Sequence, residues 1–224
     1  FELISFKGTK NYKSFNYSIP GDISSASFFI VLTILTKNSK ILIKNVNVNN
    51  SRTGIIDILK KMNGKIKIKN KKIYKGEENA NIEIRSTKNI SSINCPSSLN
   101  TKAIDEFLLI FLVAAKAKGT SYFKDLSELN QKESPRLLWG AKILNKMGIK
   151  TIVNNNSIKI FGNPDLKLNK KIVIKNFLKD HRVFMTSVIA AYSFGGNWTI
   201  HDKNSAKTSF PSFLKILDQL KNEI

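Results

Sequence analysis

Cysteine is nearly absent from the 224-residue sequence, in which only Cys95 carries a thiol. A single cysteine cannot form an internal disulfide or supply a cluster of thiolate ligands for a metal. We therefore expect a reducing, cytoplasmic location, no structural zinc, and a Cys95 that serves only as a small residue.

Long apolar runs are lacking too, because the longest, at 107–115, is well short of the ~20 residues that cross a bilayer. With five Pro, eleven Gly and 42% hydrophobic residues, the composition excludes collagen-like and largely disordered chains. No basic-then-apolar leader opens the printed sequence, so we expect a soluble globular protein with no membrane partner. The sequence starts at Phe1 without Met and within a strand-like stretch at 1–6, which suggests a fragment.

Acidic residues are few, with 16 against 37 basic residues and a formal charge of +21. Such an excess could favour a nucleic-acid partner. The lysines, however, are spread along the chain, and their densest run, at 65–75, alternates with Ile as a half-exposed strand does. We interpret the charge as a bias in residue usage and expect no nucleic-acid partner. A basic α/β module that binds nucleic acid remains the alternative from a different class.

Arginine is scarce, since it supplies only four of the basic residues. Where Lys is the default cation, a retained Arg indicates a site that needs the planar, bidentate guanidinium for a carboxylate or phosphate. Three of the four lie in polar clusters: Arg52-Thr53-Gly54, Lys132-Glu133-Ser134-Pro135-Arg136 and Asp180-His181-Arg182. Arg85 lies in an alternating stretch and is interpreted as a strand-surface residue.

The hydrophobic pattern recurs along the chain. The first pass predicts helices over 24–36 and 53–62 and strands over 40–46, 65–73 and 81–85. The second predicts helices over 104–118 and 133–147 and strands over 120–126, 150–153 and 157–161. The third predicts helices over 182–194 and 213–221 and one strand over 197–201, and it stops before its strand pair.

Units of this size cannot bury their apolar faces alone and must pack around a shared core. We therefore predict an α/β fold: one pseudo-three-fold lobe of helix–strand–helix–strand–strand units, with the third unit incomplete. Residues 1–19 do not fit the repeat. Pro20-Gly21 makes a hinge before Asp22, a candidate helix cap, so the predicted division is 1–19 and 20–224.

The polar clusters occupy equivalent places, at or just before predicted helix N-termini. Such ends carry free N–H groups and partial positive charge, so a ring of them bearing Lys and Arg suits phosphate and carboxylate. Asp105 and Glu133 lie in clusters that also carry cations, which suits acid and base chemistry on a bound anion.

The order and spacing of these clusters resemble the C-terminal half of the 5-enolpyruvylshikimate-3-phosphate synthase family, over almost the whole chain. The motifs are Gly21-Asp22-Ile23-Ser24-Ser25-Ala26-Ser27, Arg52-Thr53-Gly54, Lys132-Glu133-Ser134 with Arg136, Asp180-His181-Arg182 and Ala206-Lys207-Thr208-Ser209-Phe210-Pro211. The resemblance implies a two-lobed enzyme of inside-out α/β barrels with its active site between the lobes. It also implies that N-terminal strands missing here complete the third unit.

The family reaction transfers the enolpyruvyl group of phosphoenolpyruvate to the 5-hydroxyl of shikimate-3-phosphate and releases phosphate, without a metal or cofactor. The resemblance implies that Asp105 accepts the hydroxyl proton, that Glu133 is the acid and base at the methylene carbon, and that Lys132 lies between the substrates. It implies that Arg136, Arg182 and Lys207 clamp phosphoenolpyruvate. Glu128 would contact shikimate-3-phosphate, and His181 and Asp22 would be supporting groups. The role of Arg52 stays open between support on the phosphate side and a structural turn contact.

The chain departs from the family pattern at three positions. Pro135 stands where Asp usually precedes the clamp arginine, so we expect Arg136 to lack an orienting carboxylate. Asn130 stands where Arg is common, and Phe107 where Pro often follows the Asp-Glu pair.

The related transferase acting on UDP-N-acetylglucosamine is the nearest alternative, but its motifs are not found. The resemblance further implies a missing N-terminal lobe as intramolecular partner, a monomer when complete, and no turnover by this chain alone.

Overall fold

The computed structural model describes residues 3–8 and 13–221, in which three units follow one another. The first unit contains α1 (Ile23–Leu35), β1 (Lys40–Asn47), α2 (Gly54–Lys61), β2 (Lys65–Tyr74) and β3 (Glu77–Arg85). Asp22 accepts a hydrogen bond from the backbone N–H of Ser25 and caps α1.

The second unit contains α3 (Asn100–Ala103), α4 (Phe107–Ala115), β4 (Thr120–Phe123), α5 (Arg136–Met147), β5 (Thr151–Val153) and β6 (Ile158–Phe161). The single helix expected over 104–118 is wrong at both ends, because a turn over 104–106 separates α3 from α4 and α4 ends at Ala115. The helix expected over 133–147 begins only at Arg136, since a proline at 135 disfavours helical geometry in the residue before it. Gly148, with φ of 89°, ends α5 as expected.

The third unit contains β7 (Leu168–Ile174), α6 (His181–Phe194), β8 (Gly195–Ile200) and α7 (Phe213–Lys221). The sequence pattern did not predict β7, in which the three consecutive residues 169–171 are exposed, so the usual alternation is lost. No further strand follows β8 in the described residues, which agrees with an incomplete third unit.

The sheets carry the repeat. The first has strand order β1-β3-β2 and the second β4-β6-β5, both antiparallel, while β7 and β8 pair in parallel. Parallel bridges join Gly21 to Val46 and Asn94 to Tyr122, so an extended segment before the first helix of each unit pairs with the strand that follows it. The unit therefore starts one extended segment earlier than the sequence pattern indicates.

The centre of the lobe is formed by the first main helix of each unit, since α1, α4 and α6 all pack against one another. All nine residues of α4 are buried, as a helix that is apolar on every side requires. The helix α2 instead buries one face and keeps its last two lysines exposed. Helices inside and sheets outside give the predicted inside-out arrangement.

Two smaller expectations were also met or corrected. Cys95 is buried, and burial raises the pKa of its thiol to about 11, which fits a small packing residue. The strand-like stretch expected at 1–6 has no strand over 3–6, and its first two residues lie outside the described chain. Over residues 3–8 and 13–221, none of the helices combines the length and apolar character needed to cross a membrane.

Candidate functional site

The N-termini of the three central helices meet at one end of the lobe. Ser24 in the first turn of α1 donates a hydrogen bond to Glu106, directly before α4. Arg182 in the first turn of α6 donates to the backbone oxygen of Asp105, also before α4. Because these residues come from three units, the packing of the helices places the charged clusters of the sequence side by side.

Asp105 is the centre of this end, because four cations surround its carboxylate. The nitrogen–oxygen distances are 3.5 Å to Arg136, 3.7 Å to Lys132, 3.7 Å to Arg182 and 4.0 Å to Arg52. Four further carboxylates pair with the same cations, those of Glu106, Glu128, Glu133 and Asp180. This end is therefore a network of paired charges whose Arg and Lys nitrogens can also donate to an anionic ligand.

Arg136 is held by Asp180, and both side chains are almost fully buried, at 3% and 0% exposure. The Arg136 Nε donates to Asp180 Oδ2 at 2.9 Å, and Ser134 Oγ donates to the same oxygen at 2.8 Å. Asp180 also caps α6 by accepting from the backbone N–H of Arg182. Burial would raise the pKa of Asp180, but the hydrogen bond and charge of Arg136, with Ser134 and the Arg182 backbone, lower it overall.

The expectation that Pro135 leaves Arg136 without an orienting carboxylate is therefore wrong. Asp180 takes that role from a different unit, and Glu133 also accepts a hydrogen bond from Arg136 Nη2. From the sequence alone, Asp180 is seen only as part of the Asp180-His181-Arg182 cluster, because the contact between α5 and α6 is not visible in the local pattern.

Glu133 is 52% exposed at the open side of the cluster. Its Oε1 lies 3.8 Å from His181 Nδ1. Burial and then the neighbouring Arg182 lower the pKa of His181, so at neutral pH this contact joins a carboxylate to a neutral imidazole. Glu133 is thus a carboxylate that solvent or a ligand can reach.

Lys132 bridges two carboxylates. Its Nζ lies 3.0 Å from Glu128 Oε1 and 3.7 Å from Asp105 Oδ1. Lys132 is extended just before the start of α5, which directs its ammonium toward Asp105 rather than along a helix. Glu128 therefore joins the cluster through Lys132.

Two of the sequence candidates are not in contact with this cluster. Lys207 is exposed and has no ion pair among the described residues. Asp22 hydrogen-bonds only within the first turn of α1, through the N–H and hydroxyl of Ser25. Asp22 nevertheless lies at the start of a helix, as the sequence pattern indicated, whereas Lys207 lies in the last turn of a short 3-10 helix that precedes α7.

Two residues of the cluster were missed by sequence reasoning. Glu106 was noted only as the neighbour of Asp105, and Ser24 only as part of a motif, yet their hydrogen bond of 2.5 Å is buried. The signal in the sequence was weak, because a carboxylate before an apolar helix usually serves as an N-terminal charge.

The cluster can hold an anion and exchange protons. Arginine and lysine nitrogens supply donors for phosphate or carboxylate oxygens. Glu133 and Asp105 are reachable carboxylates that can accept or give a proton. Within residues 3–8 and 13–221, no group of three or more His, Cys, Asp or Glu side chains is placed to hold a metal ion.

Comparison with known proteins finds relatives that are named carboxyvinyltransferase, EPSP synthase or enolpyruvyl transferase. The chain is 34% identical over 214 residues to a 3-phosphoshikimate 1-carboxyvinyltransferase of Petrotoga mobilis, covering 96% of this chain and 49% of that protein. A solved EPSP synthase from Acinetobacter baumannii superposes with a TM-score of 0.83 at 33% identity, over 90% of this chain and 46% of that one. The enolpyruvyl transferase NikO from Streptomyces tendae shares the fold, with a TM-score of 0.66 at 15% identity, over 89% of this chain and 42% of that one.

The chain spans about half the length of the curated relatives it matches. Nearly all of the chain itself is matched, because the family model for EPSP synthase (3-phosphoshikimate 1-carboxyvinyltransferase) covers residues 2–217. With the repeated sheets and the charged cluster at the helix N-termini, this match shows that the chain belongs to the EPSP synthase family.

Proposed function

We propose that the complete protein transfers the enolpyruvyl group of phosphoenolpyruvate to the 5-hydroxyl of shikimate-3-phosphate and releases phosphate. The observation that carries the proposal is the convergence of Lys132, Glu133, Arg136 and Arg182 around Asp105 in a member of this family. In this proposal residues 20–224 form the C-terminal lobe and residues 1–19 belong to the hinge and the other lobe.

Two carboxylates, the partly exposed Asp105 and the half-exposed Glu133, would divide the proton transfers. Asp105 accepts the proton of the attacking 5-hydroxyl, while Glu133 donates a proton to the methylene carbon of phosphoenolpyruvate. The hydroxyl oxygen then bonds to the adjacent carbon and gives a tetrahedral intermediate. Glu133 takes a proton back from the new methyl group as the carbon–oxygen bond to phosphate breaks, so the enol ether forms. The hydroxyl proton held by Asp105 passes to the departing phosphate, which returns both carboxylates to their starting states.

The cations would hold the two anionic substrates, phosphoenolpyruvate and shikimate-3-phosphate, next to each other in the orientation that the reaction needs. Arg136, Arg182 and Lys207 bind the carboxylate and phosphate of phosphoenolpyruvate, and Lys132 lies between the substrates. Lys207 is free of ion pairs within the described chain and exposed, which fits a residue that meets its anion when the lobes close.

The remaining candidates would support these groups. Glu128 contacts shikimate-3-phosphate, and its distance of 3.0 Å from Lys132 supports a place beside that residue. His181 lies next to Glu133 and supports it, and Asp22 fixes the start of α1.

The partners follow from this assignment. We expect the missing N-terminal lobe to close the cleft, a complete protein that is a cytoplasmic monomer, no cofactor, and no nucleic-acid or membrane partner. No contact among residues 3–8 and 13–221 favours the transferase acting on UDP-N-acetylglucosamine or a nucleic-acid-binding module. A nucleic-acid binder would retain DNA with a steep salt dependence and would be indifferent to phosphoenolpyruvate.

Steady-state kinetics of the complete protein test the roles of Glu133 and Arg182. Glu133→Gln keeps size and hydrogen bonding but cannot exchange a proton, so kcat should fall by about 100-fold or more with a modest change in KM. Arg182→Lys keeps the charge but loses the bidentate fork, so the phosphoenolpyruvate KM should rise by about tenfold or more. Arg85→Lys, on the surface of β3, is the matched control and should leave both constants unchanged.

A Glu133→Gln enzyme with the kcat of the parent would refute the proton-transfer role. An unchanged phosphoenolpyruvate KM in Arg182→Lys would refute the clamp. Absence of phosphate release from phosphoenolpyruvate and shikimate-3-phosphate by the parent protein would overturn the proposed function as a whole.

A further inference from the structure

Glu106 is a buried carboxylate to which the proposed reaction assigns no role. It is 2% exposed and lies directly behind Asp105 in the chain. A charge is costly to bury unless it is paired and hydrogen-bonded. Ser24 Oγ donates to Glu106 Oε1 at 2.5 Å, and Arg182 Nη1 lies 3.6 Å from the same oxygen.

The hydroxyl of Ser24 is engaged on both sides. It donates its proton to Glu106 and accepts a hydrogen bond of 3.1 Å from Arg52 Nη2. Since a hydroxyl has one proton to give, the carboxylate of Glu106 fixes its direction and leaves its lone pairs for Arg52. The same Arg52 nitrogen lies 4.0 Å from Asp105 Oδ2.

The guanidinium groups of Arg182 and Arg52 therefore both approach the carboxylate of Asp105, and both are held by the hydrogen-bonded pair of Glu106 and Ser24. Arg182 uses Nη1 toward Glu106 and the Asp105 backbone oxygen, and presents Nη2 to Asp105 Oδ2 at 3.7 Å. Fixing Nη1 fixes the rotation of the planar group and hence where Nη2 points. Arg52 is oriented toward the same Oδ2 atom through Ser24.

We propose that Glu106 and Ser24 are positioning residues that aim Arg182 and Arg52 at Asp105 and so shape the anion-binding end of the site. Arg52 then acts on the site through its charge and is more than a turn contact. The inference deepens the proposed function and rests on it.

The ionisation of Glu106 gives the proposal a pH signature. Burial raises the pKa of Glu106; Ser24, Arg182 and Arg52 lower it, and the charge of Asp105 raises it, with a net upward shift. Only the ionised carboxylate attracts the guanidinium of Arg182. The parent enzyme and a Glu106→Gln variant should therefore differ less in their phosphoenolpyruvate KM as the pH is lowered, because Glu106 of the parent becomes protonated.

The test compares Glu106→Gln and Ser24→Ala in the complete protein. Each should raise the phosphoenolpyruvate KM by about tenfold, the order expected for one lost charge-assisted contact, with a smaller change in kcat. Glu83→Gln is the matched control, because Glu83 is also buried, at 7% exposure, and its ion-pair partners Lys40, Lys69 and Arg85 are not part of this cluster. It should lower the melting temperature without changing either KM.

A double-mutant cycle separates positioning from general packing. Because Ser24 acts on Arg52, Arg52→Ala should add less to the KM of Ser24→Ala than it adds to the KM of the parent. If the parent turns over its substrates but folded Glu106→Gln and Ser24→Ala keep its KM values at every pH, the positioning role is overturned. If Glu106→Gln does not fold, Ser24→Ala alone decides, and an inactive parent protein counts against the proposed function instead.

Discussion

At the scale of single residues, the buried pair of Arg136 and Asp180 shows how one contact joins stability to a functional site. Breaking a buried ion pair by removing one partner is strongly destabilising, because the other charge stays buried and uncompensated. Asp180 also caps α6 and accepts from Ser134, so its carboxylate satisfies three groups at once. The orientation of Arg136 is thus fixed by the fold itself, without a ligand.

Replacing Asp180 by Asn should destabilise the complete protein by about 3 kcal/mol at pH 7, since Asn keeps the size but not the charge facing Arg136. The pKa of Asp180 is lowered in the folded state, so its contribution is present above the unfolded-state pKa and is lost as pH falls through the folded-state value. Urea unfolding at pH 7 and at about pH 3 measures the free energy of unfolding of the parent and of Asp180→Asn. The difference between the two proteins should be smaller at about pH 3 than at pH 7.

The exposed Asp165 provides the control for this substitution. Asp165→Asn should change stability by no more than about 0.5 kcal/mol at either pH. If the difference in free energy of unfolding between the parent and Asp180→Asn stays constant down to acid pH, the effect does not arise from the charge of Asp180.

At the scale of elements, the start of α2 is fixed by a close approach to α3. A Cβ on Gly54 would lie 2.7 Å from the carbonyl carbon and the Cβ of Lys102. Only a glycine lets the two backbones come this near, which gives the Arg52-Thr53-Gly54 motif a structural reason. The same approach brings Arg52, before α2, toward Asp105, just after α3.

Gly54→Ala should therefore destabilise the protein by about 1–3 kcal/mol, because the added methyl group forces α2 away from α3. Gly8→Ala is the matched control, since no atom lies within 4 Å of a Cβ built there. Thermal unfolding of both variants measures the effect. Equal melting temperatures for the two variants would show that the helices can separate at no cost.

At the scale of the whole molecule, the lobe presents an open charged end rather than an enclosed site. Asp105 is partly exposed and Glu133 is half-exposed, although the enolpyruvyl transfer that we propose would benefit from the exclusion of water. The helices α1, α4 and α6 hold the N-terminal ends together, and the sheets lie outside them. A second lobe over this end would complete the cleft.

We accordingly expect phosphate release from phosphoenolpyruvate and shikimate-3-phosphate by the complete protein and none above background by this chain alone. The reason is that the proposed contacts from the other lobe, and its shielding of the site from water, would be missing. A coupled phosphate assay on both forms at equal concentration is the measurement. Turnover by the chain alone at the rate of the complete protein would show that this end is a sufficient site.

Much of the architecture could be predicted from local pattern. The positions of α1, α5, α6 and α7, and the repeated order of helices and strands, follow from hydrophobic period and from caps such as Gly148. The strand β7 could not, since its alternation is interrupted and its pairing with β8 is parallel and distant in sequence. The break before α4 was missed for a related reason, because the turn over 104–106 leaves no trace in hydrophobicity.

The candidate site divides in the same way. Residue types and their spacing placed Asp105, Lys132, Glu133, Arg136 and Arg182 in charged clusters at or near predicted helix starts, and their assignment to one reaction rests on the family resemblance. The tertiary structure alone decided that Asp180 holds Arg136 and that Glu106 and Ser24 lie behind Arg182, since these contacts join residues up to 82 positions apart. Burial and charge pairing depend on how α1, α4 and α6 pack, and no local sequence window contains that packing.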